Sequence, residues 1–521
     1  MTDATLTYLV LGATVAVFAS GRVPTAIVAL AVPLALWATG VLDLDRALAG
    51  FGDPTVLFIA SLFVVSEALD ATGVTAWAGQ KLVASAGESR TRLLVLTMAL
   101  VALLTALINV NGAVAALVPV VVVMAVRLGR SPSELLLPLA FGAHAGSLLA
   151  LTGTPVNVIV ADAAADAGVG RFGFFEFTLV GLPLVVGTIA IVVLLGARLI
   201  PARAARTIGR DFGGHARTLA RQYELDQPPD TLVSRRSGVA EVVIPPRSEL
   251  VGSVVFGGMV TDSGDLVVLA VQRGGEPLGP GEVELAAGDV LLLSGSWDAL
   301  DEQLEDPGVL VVDAPAAVRR QAVPLGPGAR RAVGVLAAMV VLLITGVVPA
   351  AVAGLLAASA VVLLGLMTTD HAFRSVSWTT VVLVGGMTAL SAAMADSGAA
   401  ADLADALVGL VSGAGPYALL AAIVALTVTL GQLISNMATA LIVIPIAVSA
   451  AADMDVSPEP VLMAVAVAAA AAFLTPVATP ANLMVMGPGG YRFGDYWRLG
   501  LVLLVFFAAV AVLLVPLIWA F

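Results

Sequence analysis

Four short runs in this chain carry uncharged oxygen and amide groups inside strongly apolar surroundings. They are Asn109-Val110-Asn111-Gly112, Gly153-Thr154-Pro155-Val156-Asn157, Ser435-Asn436-Met437-Ala438-Thr439, and Thr475-Pro476 with Ala478-Thr479-Pro480-Ala481-Asn482. A hard cation such as Na⁺ takes several oxygen ligands, from carbonyls, hydroxyls and amides. Asn supplies an oxygen to a cation and an N–H to an anion. Prolines and small residues break a helix, and its freed N-terminus favours negative charge. The pattern therefore points to binding of a cation and an anion without a formal charge on the protein. Asn157, Ser435 and Asn482 belong to the candidate cation ligands on this ground.

The four runs form two pairs. Residues 55–73 match residues 380–398 at an offset of 325. The same shift carries Asn111 onto Asn436 and Thr154-Pro155-Val156-Asn157 onto Thr479-Pro480-Ala481-Asn482. Pro119 and Pro445 miss it by one residue, which places a small insertion after the Asn. Matched Gly/Pro-interrupted apolar segments in two halves are the sequence mark of a secondary transporter. Broken backbone at membrane depth is tolerated only where it is buried or lines a cavity.

The elements that must position these runs are transmembrane helices. Of the 521 residues, 59% are hydrophobic and 12% charged, and the mean hydropathy is +1.03. A soluble domain carries about 25% charged residues. Spans are expected near 7–20, 24–42, 93–108, 112–127, 134–150, 177–200, 332–348, 350–367, 416–434, 438–452, 460–475 and 498–520, with interrupted apolar stretches at 54–70 and 379–396. The expected fold is a polytopic α-helical membrane protein of two inverted repeats with re-entrant hairpins and broken helices, plus a small α+β insert. Residues 1–200 form the first repeat, 201–236 a linker or arm, 237–313 the insert domain, 314–331 a linker, and 332–521 the second repeat. Asp3 and the lack of a basic leader argue against a cleaved signal peptide.

Orientation follows the basic residues. Arg198, Arg203, Arg206 and Arg210 follow the first half, and Arg319, Arg320, Arg330 and Arg331 precede the second. Both ends of the insert are basic, which places residues 201–331 in the cytoplasm and the repeats in the cell's inner (plasma) membrane; Arg127 and Arg130 suggest a cytoplasmic loop as well. The net charge of −12 lies wholly in residues 211–313, which hold 18 acidic residues and 6 Arg. Nucleic acid is excluded as a partner. With no Cys and three scattered His, thiol catalysis, Fe–S clusters and Cys-ligated zinc are excluded. No paired carboxylates or phosphate loop supports an enzyme, and no organic cofactor is expected.

In the insert, strands are expected at 239–244, 265–271 and 288–295, followed by a short helix at 298–304. Residues 245–252, 268–275 and 285–295 carry a resemblance to the TrkA-C (RCK-C) regulatory module of potassium systems. That resemblance implies a nucleotide or ion ligand on residues 237–313. No G-x-G-x-x-G follows a strand, so a dinucleotide is not expected.

The membrane halves, from the Asn tips through Gly-Thr-Pro-x-Asn and Thr-Pro-x-x-x-Pro-x-Asn to Gly487-Pro488-Gly489-Gly490-Tyr491-x-Phe493-Gly494-Asp495-Tyr496, resemble the divalent anion/sodium symporter family of the ion transporter superfamily. The resemblance implies Na⁺-coupled symport of a small divalent anion, sulfate or a di- or tricarboxylate, by a homodimer. It further implies that Asn111 and Gly153 hold one sodium and Asn436 and Ala478 a second. Asn111, Asn436, Thr154, Pro155, Thr479 and Pro480 would face the substrate. The family's Ser-Asn-Thr tips read here Val110-Asn111-Gly112 and Ser435-Asn436-Met437. Loss of both threonines shifts the expectation toward a small tetrahedral oxyanion such as sulfate.

The alternative is a cation/proton antiporter or metalloid-oxyanion efflux permease working through Glu67. Against it, Glu67 and Asp70 read as carboxylates at a wet hairpin end. A potassium channel would need a carbonyl filter, which is absent. His144 is either an anion-binding group or a packed histidine, and Asp495 with Arg492 and Arg498 reads as a solvated loop.

Overall fold

The computed structural model describes all residues except 1, 76, 80, 82–88, 128–129, 202, 204–218, 220–221, 224–231, 233, 235–236, 280, 305–307, 313–324, 327, 412–413 and 477. The orientation residues Arg206, Arg210, Arg319 and Arg320, and most of the expected arm at 211–236, lie outside the described residues. Two compact units result. One comprises Met1–Ala68, Lys81–Ile208 and Arg331–Phe521; the other comprises Leu69–Gln80 and Gly209–Arg330.

The first unit is helical. Its first half contains α1 (Asp3–Ser20), α2 (Thr25–Ala38), α3 (Leu44–Ala49), α4 (Pro54–Ala71), α5 (Arg90–Leu107), α6 (Val110–Arg127), α7 (Ser133–Gly146), α8 (Pro155–Asp166) and α9 (Thr178–Leu199). The α4 helix runs on into the second unit. Eight helical stretches among the described residues are long and apolar enough to cross a membrane, and four shorter apolar helices accompany them. Helices of this length span about 30 Å of hydrocarbon at 1.5 Å per residue.

The second unit is the insert. Its β1 (Ser237–Val243), β3 (Leu266–Arg273) and β6 (Val290–Ser296) join the short strands β4 (Glu276–Pro277) and β7 (Leu310–Val311) in one sheet, ordered β4-β3-β6-β1-β7. A separate ribbon pairs β2 (Val254–Val255) with β5 (Val283–Glu284). The three long strands and α10 (Trp297–Gln303) fall where alternation placed them. The two-residue strands are too short to show a period. One face buries Val242, Ile244, Leu291, Leu293 and Trp297. Trp297 lies flat where a Cβ on Gly238 would collide with its ring. Gly326 N–H donates to the Thr72 carbonyl, so the loop after α4 and the chain leaving the insert share one side. That link is invisible in sequence.

Asp289 is fully buried in the insert. Arg273 grips it through Nε and Nη2 at 2.7 and 2.8 Å, and Ala286 N–H donates to it at 2.8 Å. The guanidinium holds this carboxyl below the usual aspartate range. Its stabilising contribution is therefore complete above the unfolded Asp value and is lost as pH falls through the lowered folded value. Amide exchange in β3 and β6 should stay slow down to about pH 4 and rise steeply below it. In Asp289→Asn, exchange should be fast across that whole range.

The second half of the helical unit repeats the first: α11 (Ala329–Thr345), α12 (Ala350–Leu363), α13 (Thr369–Ser375), α14 (Trp378–Asp396), α15 (Ala399–Val411), α16 (Pro416–Leu433), α17 (Asn436–Asp453), α18 (Pro458–Ala470), α19 (Pro480–Met486) and α20 (Trp497–Ile518). Pro24 and Pro349 precede α2 and α12, and Gly73 and Gly398 follow α4 and α14 at φ +76° and +80°. Both pairs are 325 residues apart, and the left-handed conformation at the second pair favours glycine. Gly181 in α9 and Gly500 in α20, 319 residues apart, touch the carbonyls of Leu148 and Phe473, which are 325 apart, so closely that any Cβ would overlap them.

Two side-chain contacts between the halves fix the sense of the repeat. Arg46 on α3 meets Asp396 at the end of α14 at 2.6 Å. His371 on α13 meets Glu67 near the end of α4 at 3.2 Å. Each short helix thus sits beside the far end of the other half's long helix. The α4 and α14 helices run antiparallel, and the repeats are inverted. Glu67 is a half-buried member of a link between repeats.

Candidate functional site

Each half carries one re-entrant tip and one broken helix. In the first half, α5 ends at Leu107 and Asn109 caps α6: its Oδ1 accepts from Gly112 N–H at 2.8 Å, and its Nδ2 donates to Ser66 Oγ at 3.1 Å. In the second half Ser435 caps α17, its hydroxyl accepting from Ala438 N–H. The caps are 326 residues apart, as are the starts and ends of the helices on either side. Matching by caps thus corrects the expected pairing of Asn111 with Asn436. Asn436 corresponds to Val110, and Asn111 to Met437. The extra residue lies before the tip, between Gly398 and Pro416, not after it. The register is back at 325 by Pro132 and Ser457, which cap α7 and α18.

The breaks span 147–154 and 471–479. Each is held by the asparagine that follows. Asn157 Nδ2 donates to the carbonyls of Ser147 and Ala150 at 2.8 and 2.9 Å. Asn482 Nδ2 donates to those of Ala472 and Thr475 at 2.8 and 3.1 Å. These four acceptors are related by the 325 shift. The two amides thus serve backbone groups that a helix would have paired and lipid cannot. Gly153 lies so close to Ser147 that a Cβ would overlap its carbonyl, yet its counterpart is Ala478.

Tip and break are joined within each half. Thr152 Oγ1 donates to the Ala106 carbonyl at 2.8 Å. Gln432, the counterpart of Ala106, bonds the Ala471 carbonyl and Leu474 N–H, both at 3.2 Å. Across the halves, α17 packs on α8 and α19 on α6. The four sequence runs are thereby gathered into one region. No charged residue falls within 105–113, 147–157, 431–439 or 471–482. Thr154 and Pro155 are half-buried at the start of α8; Thr479 is buried and Pro480 exposed at the start of α19.

Several oxygens in this region are fully buried and find no hydrogen-bond partner among the described residues: Thr105 Oγ1, Asn436 Oδ1, Thr439 Oγ1, Thr475 Oγ1 and Asn157 Oδ1. A buried unsatisfied acceptor costs about 1–3 kcal/mol. Those at the tips and breaks are oxygens of the kind a hard cation takes. Thr439 had been only part of a motif in sequence; its burial against Gly431 on α16 singles it out.

The halves also differ beside the second break. His144, buried on α7, places Nε2 3.1 Å from Thr479 Oγ1 and 3.3 Å from Asn482 Oδ1. Because Nδ2 of Asn482 serves two carbonyls, its Oδ1 is the acceptor and His144 Nε2 carries the hydrogen. The ring also lies edge-on to Phe473. Its counterpart is Ala469, so Asn157 has no such partner. Spacing in sequence could not pair residues 335 apart.

The closing Gly-Pro-Gly-Gly-Tyr run has a structural task. Tyr491 Oη accepts from Leu137 N–H at 2.9 Å and donates to the Ser133 carbonyl. It intercepts the helical bond that would join those two residues, one position before Pro138. Tyr496 Oη donates to the Asn482 carbonyl at 2.7 Å. Asp495, expected in a solvated loop, is instead clamped by Arg203 through two 2.7 Å bonds, with its side chain 12% exposed. Arg203 N–H in turn donates to Ser133 Oγ. Tyr491→Phe should lower stability by about 1–3 kcal/mol, the cost of unpaired buried groups, because Pro138 hinders closure of the α7 ladder. A lower thermal unfolding midpoint with unchanged oligomeric state checks this.

Two inverted repeats, each with a capped re-entrant tip tied to a broken helix, define a secondary transporter of the multi-pass membrane type. The chain belongs to the citrate transporter family, whose model (CitMHS, citrate transporter) matches residues 15–468 and 410–521. It is 31% identical to the uncharacterized transporter YfbS of Escherichia coli, over 98% of both chains. It is 25% identical to the uncharacterized transporter sll0640 of Synechocystis sp., over 99% of this chain and 97% of that one. Sodium/sulfate cotransporter 1 of Chlamydomonas reinhardtii is 27% identical over 54% of this chain and 32% of that protein. The family consists of transporters and not enzymes, and the divalent anion/sodium symporter resemblance holds. The protein is a secondary transporter of anions.

Proposed function

We propose that this protein couples inward Na⁺ movement to uptake of a small divalent oxyanion, sulfate foremost. The observation that carries the reading is the set of buried, unpartnered oxygens on Asn436, Thr439, Thr475 and Asn157. Their donor chemistry suits Na⁺, and a bound cation would supply the positive charge that the site's own residues lack. The N-termini of α6, α8 and α17 add partial positive charge for the anion. The names of the Chlamydomonas relatives, sodium/sulfate cotransporters, support the same pairing.

In this reading Asn436, Ser435 and Ala478 serve one cation. Gly153 and Asn157 serve another, with Asn111 beside it. Thr154, Pro155, Thr479 and Pro480 border the anion, and Asn482 shapes the second break. The protein works as a homodimer, with the insert, residues 237–313, as a cytoplasmic regulatory module for a nucleotide or ion. The test is uptake of sulfate, succinate and citrate into proteoliposomes with and without a Na⁺ gradient. Sulfate uptake that collapses without Na⁺ is expected. Uptake indifferent to Na⁺, or confined to citrate, would overturn the proposal.

A further inference from the structure

The groove between α11 and α12 encloses about 440 Å³. Ala338, Ala353, Ala357 and Ala360 line it with Met339 and Leu356. In the first repeat Ala13 and Ala35 stand at the positions of Ala338 and Ala360, but other lining positions differ. At the 325 register, Gly334 replaces Leu9, Ala353 replaces Val28 and Ala357 replaces Val32. These three positions are smaller in the second repeat, while Met339 and Leu356 are larger there than their counterparts Thr14 and Ala31, so the relief of the two surfaces differs. An added Cβ at Gly334 would meet nothing within 4 Å, so packing does not demand glycine there. Open space is what this position supplies.

Arg331 stands at the mouth of the groove, on the side where the chain leaves the insert. Its counterpart is Leu6. One guanidinium N–H reaches the Leu364 carbonyl at 3.3 Å, leaving four donors. Among the described residues no carboxylate pairs with it, and the groove's lining contains no acid. An apolar hollow at membrane depth holds no water and must be filled by hydrocarbon or by protein. A second copy that met this groove with its own would face Arg331 with no acid, and burying that charge unpaired is costly. A phospholipid fills the hollow with an acyl chain and offers Arg331 a phosphate, which guanidinium grips in bidentate fashion. Basic pockets between helices on the cytoplasmic side bind anionic headgroups in this way.

We infer that the α11–α12 groove is a site for one anionic phospholipid of the inner leaflet, its phosphate on Arg331 and one acyl chain along Gly334 and Ala357. The site is independent of the transport reading. The test uses full-length protein purified with phosphatidylglycerol or phosphatidylcholine, native mass spectrometry of retained lipid, and variants Arg331→Gln and Gly334→Leu. Gly334→Leu restores the residue of the first repeat and has room. Wild type should hold phosphatidylglycerol at least about tenfold more tightly than phosphatidylcholine. Arg331→Gln should lose that preference, and Gly334→Leu should release both lipids. Equal retention of the two lipids by wild type, or unchanged preference in Arg331→Gln, would overturn the assignment. Dissociation of a wild-type dimer into monomers by Gly334→Leu would overturn it in favour of a second copy.

Discussion

Asn436→Ala should reduce Na⁺-driven sulfate uptake at least about 100-fold, a loss of about 2.7 kcal/mol of transition-state stabilisation. Asn436 Oδ1 is buried at the start of α17 with no partner, a state that costs folding energy and has no structural return. Removing it should therefore stabilise the protein in Na⁺-free buffer by about 1–3 kcal/mol, while the response of the unfolding midpoint to Na⁺ shrinks. A variant more stable and less active than wild type is the signature sought. Asn111→Ala should be milder, within about tenfold, because the cap register makes Asn111 the counterpart of Met437 and puts Val110 where the second tip has its amide. Sequence spacing alone treated the two asparagines as equals. If both substitutions abolish uptake equally, the cap register has no functional meaning.

His144→Ala should act in the opposite sense on stability. It leaves Asn482 Oδ1 without its donor and Thr479 Oγ1 without its ring partner, and opens a cavity beside Phe473. Unpaired buried groups cost about 1–3 kcal/mol each, and truncating a buried ring costs more. The second break depends on Asn482, so uptake should fall with stability, by about tenfold or more. His144→Gln, whose amide can still donate, should recover part of both. Uptake and thermal unfolding measured on the same preparations decide the matter. Wild-type stability in His144→Ala would mean that the imidazole is not what holds the break.

The spans and breaks were legible because each rests on a local pattern: an apolar run of fixed length, or a proline beside small residues. The insert's long strands were legible for the same reason. The inverted repeat was legible at 55–73 and 380–398, where side chains match. The tip register was not. One residue is gained between Gly398 and Pro416 and lost again before Ser457, and Asn109 and Asn111 are chemically identical. Only the backbone decides which of them caps the helix. Asp495 and Tyr491 were misjudged or unassigned because their partners, Arg203 and the α7 backbone, are about 300 residues away in sequence. The same distance concealed the pairing of Glu67 with His371 and of Arg46 with Asp396.

Those long separations bear on how the protein is made. Glu67 meets His371 only once 304 further residues have been made, and His144 meets Thr479 only after 335. At about 5–20 residues per second of synthesis, His144 would spend roughly 15 to 70 s in the membrane before Thr479 is made. During that interval the first half is an unmated copy of an inverted pair, its α7 polar groups open to any helix nearby. The nascent chain therefore needs either sheltering at the insertion machinery or rapid delivery of its second half. A stall in translation within the insert would expose that half-built state for longest.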